Sequence, residues 1–170
     1  VWTTTPWTLV SNTALAVNPK VDYQIVEFEE NEKVERLVIA APLVEKFSKE
    51  PKILATITGR DLERATYQRP LDLIEIPDSH YILLADYVTV EDGTGIVHQA
   101  TAFGADDYQT CKRYGLPTVN PVKPDGHFEE GLPLIGGEFF KDADKPLVKE
   151  LKNRKLLFKQ VQYEHSYPHC

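Results

Sequence analysis

The sequence predicts a β-rich α+β fold, with a central β-barrel and short helices at its periphery. Three observations carry that expectation. Short runs of β-branched and aromatic residues recur along the chain, each bounded by Pro, Gly or Asp, a spacing that suits a closed or nearly closed barrel with Greek-key-like connections. Segments of helical periodicity are few and short. The length of 170 residues suits one domain, 1–170, large enough to bury a core without staples.

Taken in order, residues 2–5 are strand-prone through their threonines and end at Pro6. The first clear strand pair is 23–28 and 34–40, joined by an acidic hairpin at 29–33. A short helix at 43–48 follows Pro42, and further strands read at 53–58, 71–76, 81–90 and 95–98. A second helix runs over 105–114. Asp106 and Asp107 lie in its first turn, where they favour the dipole, and Gly115 with Pro117 stops it. Residues 117–138, rich in Pro and Gly, read as a long ordered loop. The third helix spans 143–154, with Asp142 or Asp144 as its cap and Leu147, Val148 and Leu151 on one apolar face.

Composition narrows the function. A net charge of −7 and a pI near 5.2 argue against a broad binder of duplex DNA or RNA. Two cysteines, Cys111 and Cys170, exclude a disulfide framework. No apolar run reaches the roughly 20 residues that span a bilayer. The chain holds no methionine, so it reads as a piece of a longer protein. Charge is uneven, however. Lys141, Lys145, Lys149, Lys152, Arg154, Lys155 and Lys159 face only Asp142, Asp144 and Glu150 in 141–160. That strip is either a solvated helix face or a local contact with a phosphate backbone.

Two segments carry candidate chemistry. Thr3, Thr4, Thr5 and Thr8 crowd hydroxyls around the Pro6-Trp7 break. Such a turn is either an ordinary strand end or a holder of a ribose, a phosphate or a water, and Trp7 is either core or an aromatic wall. The second segment is Gly93-Thr94-Gly95-Ile96-Val97-His98-Gln99-Ala100, followed by Phe103-Gly104-Ala105-Asp106-Asp107-Tyr108. Its glycines fit a hairpin turn or a close approach to a ligand. His98 ends a strand and Asp107 begins a helix, so both side chains can enter one pocket, where a carboxylate would hold an ammonium. His165, His169 and Cys170 superficially suit zinc, but Pro168 breaks the helix that would align them. No nucleophile elbow is present.

These segments resemble the editing domain, connective polypeptide 1, inserted in isoleucyl-tRNA synthetases. The carrying residues are Trp2-Thr3-Thr4-Thr5-Pro6-Trp7-Thr8-Leu9, Ser11-Asn12, Val17-Asn18-Pro19, the two stretches around His98 and Asp107, Lys141-Asp142-Ala143-Asp144, and His165-Ser166-Tyr167-Pro168. Related leucyl and valyl enzymes carry Arg-Pro where this chain has Pro6-Trp7, and the His-Gln-Ala and Phe-Gly forms look eukaryotic-like. Two positions depart from the family pattern: Val10 and Thr101 each stand where proline is usual, and loss of the second loosens the backbone between His98 and Asp107.

The resemblance implies the class I synthetase editing-domain fold and hydrolysis of the ester that joins valine to the 3′ end of isoleucine tRNA. One methylene is worth only about 1–3 kcal/mol of discrimination, a range for which isoleucyl-tRNA synthetases are themselves the usual illustration, so a second pocket must destroy what the first admits. By resemblance, Asp107 binds the α-ammonium, while Thr3, Thr4, Thr5 and Thr8 hold the adenosine and position water. Trp7 lines the pocket; His98, beside Val97, crowds its side-chain end; Gly93, Thr94 and Gly95 shape the adenosine side. No metal or organic cofactor is expected in this domain, ATP and Mg being used by the parent's catalytic domain. The expected partners are the tRNA and the rest of the synthetase, not DNA or membrane, in the cytoplasm. The competing readings are a catalytically silent barrel that docks the tRNA end or a partner, and a small-molecule or metal-binding barrel.

Overall fold

Two three-stranded sheets organise the chain. The computed structural model describes residues 1–30 and 33–161. Its strands are β1 (Ala14–Val17), β2 (Asp22–Glu30), β3 (Lys33–Ala40), β4 (Lys52–Thr58), β5 (Tyr81–Leu84) and β6 (Ile96–Gln99). In the first sheet β1 lies between β5, parallel to it through Ala14↔Tyr81, and β6, antiparallel through Leu15↔His98. The second is an antiparallel β3-β2-β4 ribbon whose register shifts between Ile25 and Val26. Among the described residues these ladders form two three-stranded sheets and no closed barrel is found, so the expected closure is not confirmed.

β1 escapes a pattern search for a physical reason. Ala14, Ala16 and Val17 are fully buried, so the strand is covered on both faces and shows no polar alternation. Alanine has little strand propensity of its own; the small side chains serve close packing instead. The expected strand at 71–76 is absent. Leu71 enters the core, and the Arg69 guanidinium caps the Ile74 carbonyl locally, so the alternation there reflects a buried loop. The expected strand 81–90 ends at Leu84, because the chain turns at Asp86 and Tyr87. The N-terminal threonines do not form a strand either: Pro6–Ser11 is a 3-10 helix with proline in its first turn.

The helices fall close to expectation: α1 (Val44–Phe47) after a 3-10 turn at Ala41–Leu43, α2 (Ala105–Arg113) and α3 (Asp144–Asn153). Residues 117–138 form an irregular segment tied by isolated bridges such as Val122↔Phe128. The apex of the acidic hairpin, 31–32, lies outside the described residues.

Packing then sets the N-terminal turn. Leu147 and Leu151 of α3 share a core with Leu9 and Val10, together with Leu71 and Phe128. Cys111 of α2 packs against Ala14, Ala16 and Leu83. α3 thus packs on the 3-10 turn and α2 on β1, and the 3-10 turn and the start of α2 line one cavity together with β6. No helix among the described residues is long and apolar enough to cross a membrane.

Candidate functional site

Between these elements lies a cavity of about 380 Å³. One wall is the N-terminal turn, with Trp2, Thr3, Thr4, Thr5 and Thr8; β6 supplies Val97 and His98. Ala100, Phe103, Gly104 and Asp107 close the far side. The structure therefore brings together the threonines, Val97, His98 and Asp107, as the sequence led us to expect.

His98 is held at both nitrogens. The Asn12 amide Nδ2 lies 2.8 Å from Nδ1, and the Thr8 hydroxyl 3.0 Å from Nε2. Asn12 Nδ2 also donates to the Ala14 carbonyl at 3.0 Å, while its Oδ1 accepts from the Tyr67 hydroxyl at 2.5 Å. The amide nitrogen therefore faces the ring and donates to Nδ1, leaving the proton on Nε2 to be donated to Thr8. The ring is 9% exposed, and burial pushes its pKa down to about 4. It is a neutral, immobile wall at pH 7.

The threonines differ among themselves. Thr8 is buried, donates to the Thr5 carbonyl at 2.8 Å and lies 3.3 Å from the Thr5 hydroxyl. With His98 also donating to it, its hydroxyl has no capacity left for a ligand. Thr3 accepts from the Thr5 amide at 3.1 Å and sits 3.4 Å from the Thr5 hydroxyl, so each retains a lone pair. Thr4 lines the cavity with its hydroxyl uncommitted.

Across the cavity, Asp107 occupies the first turn of α2. Its Oδ2 accepts from the Ala100 amide at 3.0 Å. Burial raises its pKa, more than hydrogen bonds from the Ala100 amide and the Gln99 side chain lower it, with the Asp106 charge adding to the rise. Among the described residues no cation is paired with it. Such a carboxylate gains most from an incoming ammonium, which would supply the missing countercharge.

Other expected residues lie elsewhere. Trp7 does not line the cavity. Its ring packs behind the lining Phe103 at 4.8 Å and against Phe140 at 4.8 Å, and its amide donates to Asp144 Oδ1 at 2.8 Å. The break at Pro6 turns it into the core, where it buttresses the pocket wall. Gly93 and Thr94 lie in a larger open groove of about 1990 Å³, which shares Trp2, Thr3 and Thr4 with the cavity. Gly93 has a φ of +70° and lies close under Trp2, where a Cβ would come within 3.3 Å. Gly95 lines neither space. Its φ is +73° and a Cβ would fall 2.4 Å from that of Ala40, so it serves sheet packing.

Thr101, where the family resemblance led us to expect proline, is tied in place by its hydroxyl. Buried, it lies 3.1 Å from the Thr13 hydroxyl, which itself donates to the Gln99 carbonyl. Val10 is simply core. Sequence reasoning assigned no role to Asn12, Phe103 or Tyr67. The polar triplet Ser11-Asn12-Thr13 between the apolar Leu9-Val10 and 14–17 is a readable signal; Tyr67 has none. Among the described residues no group of three or more His, Cys, Asp or Glu is placed to hold a metal ion. His165, His169, Cys170 and the closing match at 165–168 lie outside them.

No protein-family model matches the chain. It is 57% identical over its whole length to the isoleucine–tRNA ligase of Streptomyces avermitilis and 59% identical to that of Thermobifida fusca, covering 16% of each. To the ligase of Methanocaldococcus jannaschii it is 40% identical, over 18% of that protein. The chain thus spans about a sixth of the length of these relatives. All three are prokaryotic. Among solved structures, the crystal structure of GlLeuRS-CP1 superposes with a TM-score of 0.68 at 18% identity, over 95% of this chain and 83% of that one. The editing domain of Plasmodium falciparum cytosolic leucyl-tRNA synthetase gives 0.63 at 14%, over 89% and 75%.

Proposed function

The chain is homologous end to end to a segment of isoleucyl-tRNA synthetases and has the fold of CP1 editing domains, and from that premise we propose that it hydrolyses valine from mischarged isoleucine tRNA. The observation that carries this reading is the pairing, across one cavity, of a half-buried carboxylate, with no cation paired to it among the described residues, and a row of hydroxyls. Asp107 Oδ2 is fixed by the Ala100 amide, which leaves Oδ1 to receive the α-ammonium. The ester carbonyl then lies toward Thr3, Thr4 and Thr5. Thr4, aided by the spare lone pairs of Thr3 and Thr5, orients the attacking water and the terminal ribose. Thr8, placed with the catalytic threonines by resemblance, instead holds His98.

No side chain acts as general base in this scheme. His98 is bonded at both nitrogens, so it presents a carbon edge to the ligand and narrows the pocket. Water adds to the ester carbonyl; collapse of the adduct breaks the acyl–oxygen bond, and the water's proton ends on the departing ribose hydroxyl, directly or through the neighbouring one. Positioning of this kind replaces much of what a base would supply for an already activated ester. The domain's own chemistry calls for no cofactor.

Partner contacts follow from charge. At about 100° per residue, Lys145, Lys149 and Lys152 share one face of α3 within an arc of about 60°, away from Glu150. All three are exposed. α3 is anchored to the N-terminal turn by the Trp7–Asp144 bond, and this exposed basic face suits tRNA phosphates. The parent ligase acts in the cytoplasm on this reading.

The test is release of valine from mischarged isoleucine tRNA by the full-length ligase. Loss of release in Asp107→Ala supports the reading; an unchanged rate refutes the ammonium role. A silent docking insertion would show tRNA binding with no release at all.

A further inference from the structure

We propose that Tyr67 is a positioning residue: through Asn12 it fixes the plane and tautomer of His98 as a wall of the cavity. Its effect on specificity rests on the hydrolytic reading above, whereas the bonding arrangement stands apart from it.

Tyr67 lies outside the cavity, in the connection between β4 and β5. Its hydroxyl donates to Asn12 Oδ1 at 2.5 Å. With Oδ1 occupied as an acceptor, the Asn12 amide must turn its nitrogen toward Ala14 O and His98 Nδ1. A donor facing Nδ1 leaves that nitrogen unprotonated, so the neutral ring carries its proton on Nε2 and donates to Thr8, which donates to the Thr5 carbonyl. Every bond from Tyr67 to Thr5 thus has one polarity.

The same connection clasps Asn12 by its backbone. His80 Nε2 donates to the Asn12 carbonyl at 3.0 Å, the His80 amide donates to Thr13 O at 2.8 Å, and the Tyr67 amide donates to His80 O at 3.1 Å. The Tyr67 and His80 rings meet edge to face at 6.0 Å. His80 holds this place with a φ of +69°, a backbone state that a non-glycine residue keeps only when its surroundings fix it. Burial raises the pKa of the Tyr67 hydroxyl, which keeps it a donor.

Removing that hydroxyl orphans Asn12 Oδ1. The turned-over amide, no longer opposed by that bond, gives up only its donation to the Ala14 carbonyl; it puts Oδ1 against His98 Nδ1 and selects the ring protonated there. The bond to Thr8 reverses, and Thr8 can no longer donate to Thr5. A wall with one orientation becomes a wall with two.

The experiment compares Tyr67→Phe and Asn12→Asp with the parent. Nitrogen NMR shifts of His98 are read in the 170-residue chain, which holds buried clusters of its own. Isoleucine and valine release are read in the full-length ligase. The parent should show Nε2 protonated and Nδ1 bare; Tyr67→Phe should move both shifts toward an average, and Asn12→Asp should invert them. In Tyr67→Phe, loss of isoleucine from correctly charged tRNA should rise about tenfold, with valine release changed less than about threefold. A merely structural role would lower the melting temperature and leave the shifts alone. Unchanged shifts in Tyr67→Phe, or in Asn12→Asp should the first variant not fold, overturn the proposal; shifted tautomers with unaltered isoleucine sparing overturn its link to specificity. A parent ligase that releases no valine would sink the hydrolytic reading instead, and the shifts would still decide the tautomer.

Discussion

The two walls of the cavity are built on opposite principles. On the turn side, Thr8, His98 and Asn12 have their polar atoms joined to one another. On the helix side, Asp107 has the Ala100 amide and the Gln99 side chain as partners, no cation among the described residues, and a charge that burial disfavours. The difference teaches how a small domain separates shape from affinity. Groups that are fully bonded keep a fixed outline, because moving any of them orphans its neighbours. A group left under-satisfied stores the attraction that a ligand releases on binding.

The largest effect expected is on the open wall. Replacing Asp107 with alanine should slow valine release by the full-length ligase about a hundred- to a thousandfold, the cost of truncating one partner of a buried charge pair. Measured with single-turnover deacylation, a loss of less than tenfold would erase the contrast between the walls.

The pinned wall should reveal itself through pH. The His98 pKa is depressed to about 4 in the folded chain, against about 6.5 when unfolded. A depressed value contributes stability that is fully present above the unfolded pKa and is lost as pH falls toward the folded one. Denaturant titrations should therefore show about 3 kcal/mol less stability at pH 4 than at pH 7 from this group. His98→Gln should flatten that dependence.

Two threonines sharpen the comparison further. Thr8→Val leaves the His98 Nε2 donor without a partner and takes from the Thr5 carbonyl one of its two donors, the Thr8 amide remaining, and should cost about 1–3 kcal/mol in chemical denaturation. Thr4→Val should change stability by less than about 0.5 kcal/mol while slowing valine release about tenfold. Equal stability losses would mean that the hydroxyls do not divide into structural and ligand-facing groups.

The smallest effect lies outside the cavity. Changing Lys145, Lys149 and Lys152 together to glutamate should weaken tRNA binding and flatten its dependence on the logarithm of salt by about 2–3. Release of valine from a minimal aminoacyl-adenosine ester, which lacks the phosphates, should be untouched. An unaltered salt slope makes the strip a solvated face.

How much of this was legible depended on whether the signal was local. The β2–β3 ribbon, α2 and α3 announce themselves through periodicity and stop signals close in sequence. The meeting of His98 and Asp107 was legible from motif chemistry, since a strand end and a helix start nine residues apart can converge, whereas that Thr3–Thr5 join them followed only from the family resemblance. What could not be read was non-local. β1 is recognised as a strand only beside β5 and β6, and Leu71 to Ile76 mimic a strand only until Arg69 takes the Ile74 carbonyl. Trp7 was placed in the pocket because nothing in the sequence says which way a 3-10 turn aims it. Tyr67 reaches Asn12 across 55 residues, a distance no spacing rule covers.

The position of β1 at the centre of its sheet also sets an order of assembly. Ala14 pairs with Tyr81 and with Gln99, so the cavity cannot close until both distant segments have been gathered in. The β2–β3 ribbon needs only a hairpin. Closing long loops before any contact rewards them is the slow part of folding. Pulse-labelled hydrogen exchange should therefore protect the Ile25 and Leu37 amides before those of Leu15 and His98. A chain interrupted during synthesis before residue 99 would carry a ribbon without its cavity.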